Sequence, residues 1–329
     1  MKAIAQQAPG GPDKLQLEQL AIPKPGPGEL LIEVYAAGLN PVDYKVMAGG
    51  HPDWTYPHVP GVDAAGIVAE VGEGVTGWSP GDRAVFHADF AKQGVCAEFA
   101  VTSAHTAAKM LEGLTFEEAA TFPCAGLTAY QALLKKMNLQ QGQRILIHAG
   151  AGGVGGYAIQ LAKALGAGMI AATASSGNAE YVKSLGADHV IDYSTEDVLE
   201  RSLELTDGFG FDLILNTVDR KTSQIDLSAL SFGGQLVCIA GAPETVADFQ
   251  PASKSFTIHK LMLGGAYRSG SRQVEEELAA MADQFMRYMQ EGKIRTPQVE
   301  LISLEEVPDA LRRLSERHVR GKIVVSIKK

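Results

Sequence analysis

The stretch RILIHAGAGGVGGYAIQLAKALGA, from Arg144 to Ala167, passes from an apolar run through a cluster of glycines into a helical pattern. Gly150, Gly152 and Gly155 satisfy G-x-G-x-x-G, with a candidate strand before them and a candidate helix after. In that setting the first glycine permits a tight turn and the second lets the backbone approach a pyrophosphate. The third lets the helix pack closely on the strand. The helix start at Gly153 and Val154 offers free N–H groups and the positive end of the helix dipole to an anion. The competing reading is a plain turn of the chain. The pattern and its context together predict a dinucleotide-binding turn.

The rhythm around this stretch extends the prediction. RILIHA (144–149), GMIAATA (168–174), DHVID (188–192), FDLILNTV (211–218), QLVCIAG (235–241) and IHKLMLGGAY (258–267) read as strands. GYAIQLAKALG, NAEYVKSLG, TEDVLERSLE and TSQIDLSAL read as the helices between the first five. Apolar strands alternating with helices predict a parallel sheet covered on both faces, here a doubly wound sheet of six strands.

The second strand bears on the choice of cofactor. An NAD site usually places an acid there to bond the ribose hydroxyl, whereas this chain reads ATASSGNAE, with no carboxylate before Glu180. Ser175 and Ser176 can bond a 2′-phosphate, although no Lys or Arg accompanies them in that turn. Helix capping is their other reading. The expectation is NADPH, with NADH as the alternative.

Outside this region the pattern changes. Residues 1–125 carry short strand-like runs, LLIEVYAAGL and AGIVAEVG, between turns such as IPKPGPGE and TGWSPGDRAV. These predict a compact, mostly antiparallel β domain. Thr115 and Glu118 fit a capping box at the start of a following helix. After residue 267 a long helical run, SRQVEEELAAMADQFMRYMQEGK, leads to a strand-like end, GKIVVSIKK. The expected division is a first domain of 1–125, with 268–329 returning to it, and a dinucleotide-binding domain of 126–267.

Composition limits the function classes. The 329 residues are 46% hydrophobic and 20% charged, ordinary for a globular protein with a sizeable core. The net charge of −9 comes without a Lys/Arg cluster, so neither nucleic acid nor an anionic membrane surface is an expected partner. No apolar run reaches the ~18 residues of a membrane span, and the N-terminal run MKAIAQQAPGGPDK lacks the pattern of a secretory signal. Three cysteines without C-x-x-C spacing suit a reducing cytoplasm.

Six motifs in one order now carry a resemblance: GLNPVDYK (38–45), PGVDAAGIVAEVGEGV (60–75), PGDRAV (80–85), AGLTAY (125–130), HAGAGGVG (148–155) and RGKIVV (320–325). Together they resemble the medium-chain dehydrogenase/reductase superfamily. That resemblance implies an α/β protein: a GroES-like, mostly β catalytic domain plus a Rossmann domain inserted into it. Where zinc-dependent members carry a ligand cysteine and a ligand histidine, this chain has Asn40 and Val62, with Asp63 beside the latter. Cys124 alone falls where a ligand cysteine stands. One thiol does not make a catalytic zinc site, so no metal is expected. The zinc-free branch resembles quinone oxidoreductases and enone reductases.

The resemblance also implies roles for particular residues. Asn40 lies beside the nicotinamide and donates to a substrate carbonyl, or else bonds its own backbone. Tyr44 is a candidate proton donor, or else a packed tyrosine, while Asp43 fixes its loop. Thr128, Ala240 and Gly265 border the nicotinamide region, with simple helix packing the alternative for Thr128. Tyr193 lies near the adenosine 2′-phosphate, or else is a surface aromatic. Lys322 reaches the cofactor phosphates, or else sits in a solvated turn. Loops 47–60 and 86–94 line a substrate slot, with Trp54, Tyr56, Phe86 and Phe90 as flat walls for a small, planar, electron-poor acceptor, or else as domain core and loop packing. His51, His58 and His87 sit in loops near that slot. The expected activity is NADPH-dependent hydride transfer to a quinone or an α,β-unsaturated carbonyl. The rivals are an enoyl-thioester reductase, a zinc-type alcohol dehydrogenase and a low-turnover NADPH-binding sensor. A homodimer through the edge strand IHKLMLGGAY completes the expectations.

Overall fold

A computed structural model describes residues 1–250, 253–317 and 319–328. The described chain divides into two compact units. One comprises Met1–Leu127, Leu263–Glu291 and Thr296–Lys329, and the other Thr128–Met262 and Gly292–Arg295. The expected boundaries were 125/126 and 267/268; Lys329, the last residue of GKIVVSIKK, lies outside the described residues.

The first unit opens with strands β1 (Lys2–Ala5), β2 (Gln16–Gln19) and β3 (Glu29–Gly38), then helix α1 (Pro41–Gly49). β4 (Asp63–Val71), β5 (Arg83–His87), β6 (Phe99–Ser103) and β7 (Ala108–Lys109) follow, then α2 (Phe116–Ala120) and α3 (Pro123–Tyr130), whose last three residues belong to the second unit. β3 is antiparallel to β4 and β6, and β4 to β5. The Thr115 box is present: its hydroxyl accepts from the Glu118 N–H at 3.1 Å, and Glu118 accepts from the Thr115 N–H at 2.9 Å.

The second unit is the alternating one. β8 (Arg144–Ile147), α4 (Gly153–Ala164), β9 (Met169–Ala174), α5 (Ala179–Leu185) and β10 (His189–Asp192) form its first half. α6 (Val198–Leu205), β11 (Phe211–Asn216), α7 (Arg220–Ala229), β12 (Leu230–Cys238) and β13 (Phe256–Lys260) form its second. All six strands are parallel, in the order β10-β9-β8-β11-β12-β13. This is the doubly wound sheet. Ile145, Leu146 and Ile147 are fully buried, as a central parallel strand requires, and each contributes about 1.5–3 kcal/mol by burial.

The chain then returns to the first unit through α8 (Arg272–Gln290), β14 (Val299–Ile302), α9 (Val307–Ser315) and β15 (Lys322–Ser326). β15 pairs antiparallel with β3 and parallel with β14, which completes a seven-stranded sheet. Among the described residues no helix is long and apolar enough to cross a membrane.

Two strand assignments need correction. β12 begins at Leu230 and ends at Cys238, so IAG (239–241) lies beyond the strand. IHKLMLGGAY is a strand only to Lys260; Leu263–Arg268 form a short 3-10 helix that belongs to the first unit. There Tyr267 donates to the His87 carbonyl and Arg268 lies 4.9 Å over the Phe90 ring, contacts that a continuing edge strand would not make.

Candidate active-site residues in the two units

The glycine turn in the second unit is built by close packing. A Cβ on Gly155 would lie 2.3 Å from the Ala149 carbonyl oxygen and 2.9 Å from the Gly150 Cα. Only glycine lets α4 rise so near the end of β8. A Cβ on Gly150 would lie 2.9 Å from the Ala172 Cβ, so that glycine answers to packing as well. The left-handed position of the turn is taken by Ala149, at φ 52°. Gly152 caps α4 without any side-chain hydrogen bond, and Gly152, Gly153 and Val154 are half-buried. The first turn of α4 therefore keeps backbone donors available to an anion.

At the end of β9, Ser175 precedes a 3-10 turn, Ser176–Asn178, and makes no side-chain cap to it. Its hydroxyl accepts from the Asn178 amide at 3.1 Å. Ser176 is exposed, and Tyr193 is 59% exposed. β10 contributes a residue that was not anticipated. Asp192 pairs in register with Ala174, and hydrogen bonds from Ser194 and then Ser176 hold its carboxyl below the usual range. The end of β9 has no acid of its own in sequence; this one comes from the neighbouring strand. Thr128 is 4% exposed in α3 and Ala240 is exposed beyond β12. Gly265 is half-buried in the 3-10 helix of the first unit, beyond the end of the strand to which the sequence reading assigned it.

In the first unit a buried polar cluster surrounds Asn40. Pro41 opens α1, and the Asn40 N–H donates to Asp43 at 2.8 Å, the helix cap expected of this pattern. The Asn40 amide donates to Asp63 at 2.8 Å and to the Gly38 carbonyl at 3.2 Å. Its oxygen accepts from the Lys322 ammonium at 2.6 Å. These partners fix the amide orientation, and both of its hydrogens are engaged. The expected donation to a substrate carbonyl is corrected accordingly: Asn40 joins an ammonium to a carboxylate. Lys322 is only 3% exposed; it also donates to the Leu39 carbonyl at 3.0 Å and lies 3.5 Å from Asp63. It is neither in a solvated turn nor free to reach a phosphate.

Burial sets the proton affinities here. Asp63 is pushed up to about 6 by burial, against the pull of Lys322 and its hydrogen bonds. Asp43 rises to about 7, chiefly by burial, and its Oδ1 has no partner among the described residues. His87 falls to about 4 through burial and then the charge of Lys322. Tyr44 is half-buried on α1.

Ligand-type atoms of Asp63, His87 and Cys124 lie within 4.8 Å of one another, so a metal must be considered. The donor chemistry fits one poorly. Asp63 already accepts from Asn40 and from the Cys124 N–H at 2.8 Å, with the Lys322 ammonium beside it. Burial and the Asp63 charge push the Cys124 thiol well up, away from the thiolate that binds zinc. A fixed cation already stands where a metal would bring its charge.

Two hollows in the first unit coincide with the loops expected to line a slot. A cavity of about 330 Å³ is lined by Asp53, Trp54, His58, Asp89 and Lys92 among others, and a recess of about 20 Å³ by Asp43, Met47, Trp54, His58 and Phe90 among others. Trp54 stacks on His58 with ring centroids 3.6 Å apart and donates to the Phe90 carbonyl at 2.8 Å. Phe86 is 1% exposed in the core, and Tyr56 lines neither hollow, so neither forms a wall. Burial holds His58 down at about 4, so it is a neutral ring near pH 7.

Comparison with known proteins adds an independent line. Residues 26–141 match the alcohol dehydrogenase GroES-like domain, and residues 153–285 match the zinc-binding dehydrogenase family. The chain is 33% identical to a chloroplast envelope quinone oxidoreductase homolog of Arabidopsis thaliana, over 96% of this chain and 95% of the relative. It is 32% identical to a quinone oxidoreductase of Pseudomonas aeruginosa, over 98% and 99%. An Escherichia coli quinone oxidoreductase solved in complex with NADPH superposes with a TM-score of 0.88 at 29% identity, over 99% of this chain and 100% of that one.

Proposed function

From the chain's membership of the medium-chain dehydrogenase/reductase superfamily, in its quinone oxidoreductase-like branch, we propose a zinc-independent, NADPH-dependent reductase of quinones or α,β-unsaturated carbonyls. That it is an oxidoreductase using a nicotinamide cofactor follows from the family. The finer reading rests on the residues. The observation that carries its metal-free part is the buried Lys322, which holds a fixed positive charge between Asn40 and Asp63.

The bound nicotinamide supplies the hydride. The N-terminus of α4, at Gly152, Gly153 and Val154, holds the pyrophosphate through backbone donors, and Gly150 and Gly155 let α4 sit close enough to present them. Ser175, Ser176 and Tyr193 face the adenosine ribose and its 2′-phosphate. Thr128 and Ala240, both in the second unit, border the nicotinamide. Trp54 and Phe90 provide flat apolar walls for a planar acceptor and exclude water from it. Asn40 and Lys322 act by holding Asp63 and the start of α1 in place. Tyr44 remains the proton donor in this reading, delivering a proton to the reduced acceptor. Homodimers form through β13, the outer strand of the six-stranded sheet.

The test is loss of NADPH absorbance with benzoquinone, phenanthrenequinone, a simple alkenal and crotonyl-CoA, each in EDTA and with NADH in parallel. Turnover of a quinone or alkenal that is unchanged by EDTA is the expected result. Turnover that disappears on chelation and returns with zinc overturns the metal-free reading. Preference for crotonyl-CoA moves the substrate to thioesters.

A further inference from the structure

Beneath the glycine turn lies a second buried polar cluster, in the second unit, to which nothing above gives a task. His148, Thr173, Asn216 and Asp226 are each at most 2% exposed. They stand on the carboxyl ends of β8, β9 and β11 and on α7, around the turn. The hydrogen bonds converge on Asp226 from two sides. The Asn216 oxygen accepts from the Val218 N–H at 2.8 Å, so its amide donates to Asp226 at 2.6 Å. The other Asp226 oxygen lies 2.8 Å from His148 Nε2, which donates to it. His148 Nδ1 lies 3.3 Å from the Thr173 hydroxyl, and that hydroxyl accepts from the Ala149 N–H at 3.0 Å.

The last bond falls on the one residue of the turn whose backbone is strained. Ala149 has φ 52°, a left-handed conformation that alanine rarely adopts unless its surroundings impose it. Its neighbours are clamped from the same strands. The His148 N–H donates to the Leu215 carbonyl at 3.0 Å, and its carbonyl accepts from Thr217 at 3.2 Å. The Gly150 N–H donates to the Thr173 carbonyl at 2.8 Å. The Ala149 carbonyl is in turn the atom against which Gly155 is packed. Shifting Ala149 would therefore move the start of α4.

We infer that Asp226, Asn216, His148 and Thr173 are positioning residues that hold Ala149 left-handed and so aim the first turn of α4 at a dinucleotide pyrophosphate. This rests on the reading of that turn as the dinucleotide site. Asp226 orients the His148 ring, His148 orients the Thr173 hydroxyl, and Thr173 holds the Ala149 N–H. None of the four touches the bound molecule.

The experiment measures NADPH and ADP-ribose affinity by calorimetry, with thermal melting alongside, for Thr173→Val, Ala149→Gly and the double variant. Thr173→Val keeps the shape and removes the hydroxyl. Its affinity for both molecules falls about tenfold, with the dinucleotide KM rising and kcat at saturation retained. Glycine adopts the left-handed conformation without strain, so Ala149→Gly restores most of the affinity lost by Thr173→Val. A purely structural cluster would not give that rescue. If Thr173→Val does not fold, Asp226→Asn reports from the far end, since its amide confronts a donor from His148 or Asn216; weakened binding relieved by Ala149→Gly is again expected. Wild-type affinity in Thr173→Val or in Asp226→Asn, or a loss that Ala149→Gly leaves unchanged, overturns the inference. Failure of the wild-type protein to bind NADPH, NADH or ADP-ribose overturns the dinucleotide reading beneath it, and the inference with it.

Discussion

Replacing Lys322 by methionine tests the buried cation directly. The change keeps most of the side-chain volume and removes the ammonium that Leu39, Asn40 and Asp63 surround. Breaking a buried ion pair by deleting one partner costs about 3–5 kcal/mol, because the other charge is left uncompensated. The penalty depends on pH. Asp63 is raised from 3.8 to about 6, so its contribution to stability is fully present below about 3.8 and is lost as pH rises through 6. Asp43, raised to about 7, has the same sign. Lys322 lowers both carboxyls, so Lys322→Met raises them further and carries the loss to higher pH. Near pH 8 the variant therefore bears the full penalty. Near pH 5 Asp63 is protonated, and what remains is the loss of hydrogen bonds to two oxygens, about 1–3 kcal/mol. At about 2–4 °C per kcal/mol for a unit of this size, the melting temperature falls by roughly 10 °C near pH 8 and by about half that near pH 5. Both tryptophans, Trp54 and Trp78, lie in the first unit, so their fluorescence reports its unfolding alone. Adding Asp63→Asn to Lys322→Met recovers much of the loss near pH 8. An equal loss at both pH values would refute the reasoning.

Gly155→Ala places a methyl 2.3 Å from a backbone oxygen; a loss of about 1–3 kcal/mol from overpacking, with weaker dinucleotide binding, is expected from melting and calorimetry. Asp192→Asn removes a carboxylate beside Ser176, so the ratio of NADPH to NADH affinity rises several-fold at low salt, less so when the charge is screened; an unchanged ratio means that Asp192 does not face the ribose. Lysines at Thr257 and Met262, exposed on and just beyond β13, convert a dimer to a monomer in sedimentation, and a wild-type protein that is already monomeric removes that proposal.

The parts legible in sequence are those that local physics enforces. The glycine pattern is one, because Gly150 and Gly155 have no room for a Cβ. The strand-helix rhythm is another, since β8 is buried on both faces and β10 begins within a residue of its expected start. What stayed hidden depends on encounters between distant segments. Lys322 meets Asn40 across 282 residues and His148 meets Asp226 across 78. No local pattern distinguishes such a lysine from one in a solvated turn. Phe86 looked like a slot wall because it stands among loop residues, yet it faces the core from β5. Asp192 was missed because adjacency in a parallel sheet, with β10 beside β9, is not adjacency in the chain.

The position of Lys322 on β15, the last strand, also sets an order of events during synthesis. Asp43 and Asp63 are translated early, and the strand that brings their counter-charge emerges 282 residues after Asn40. Until it does, the N-terminal part of the chain has two acids that it cannot bury in ionised form. It must leave that face open, or hold it protonated, while the ribosome works through the whole second unit. A chain released before Lys322 would retain the same defect. β3 would then lack β15 beside it, and the sheet would stay open at that edge.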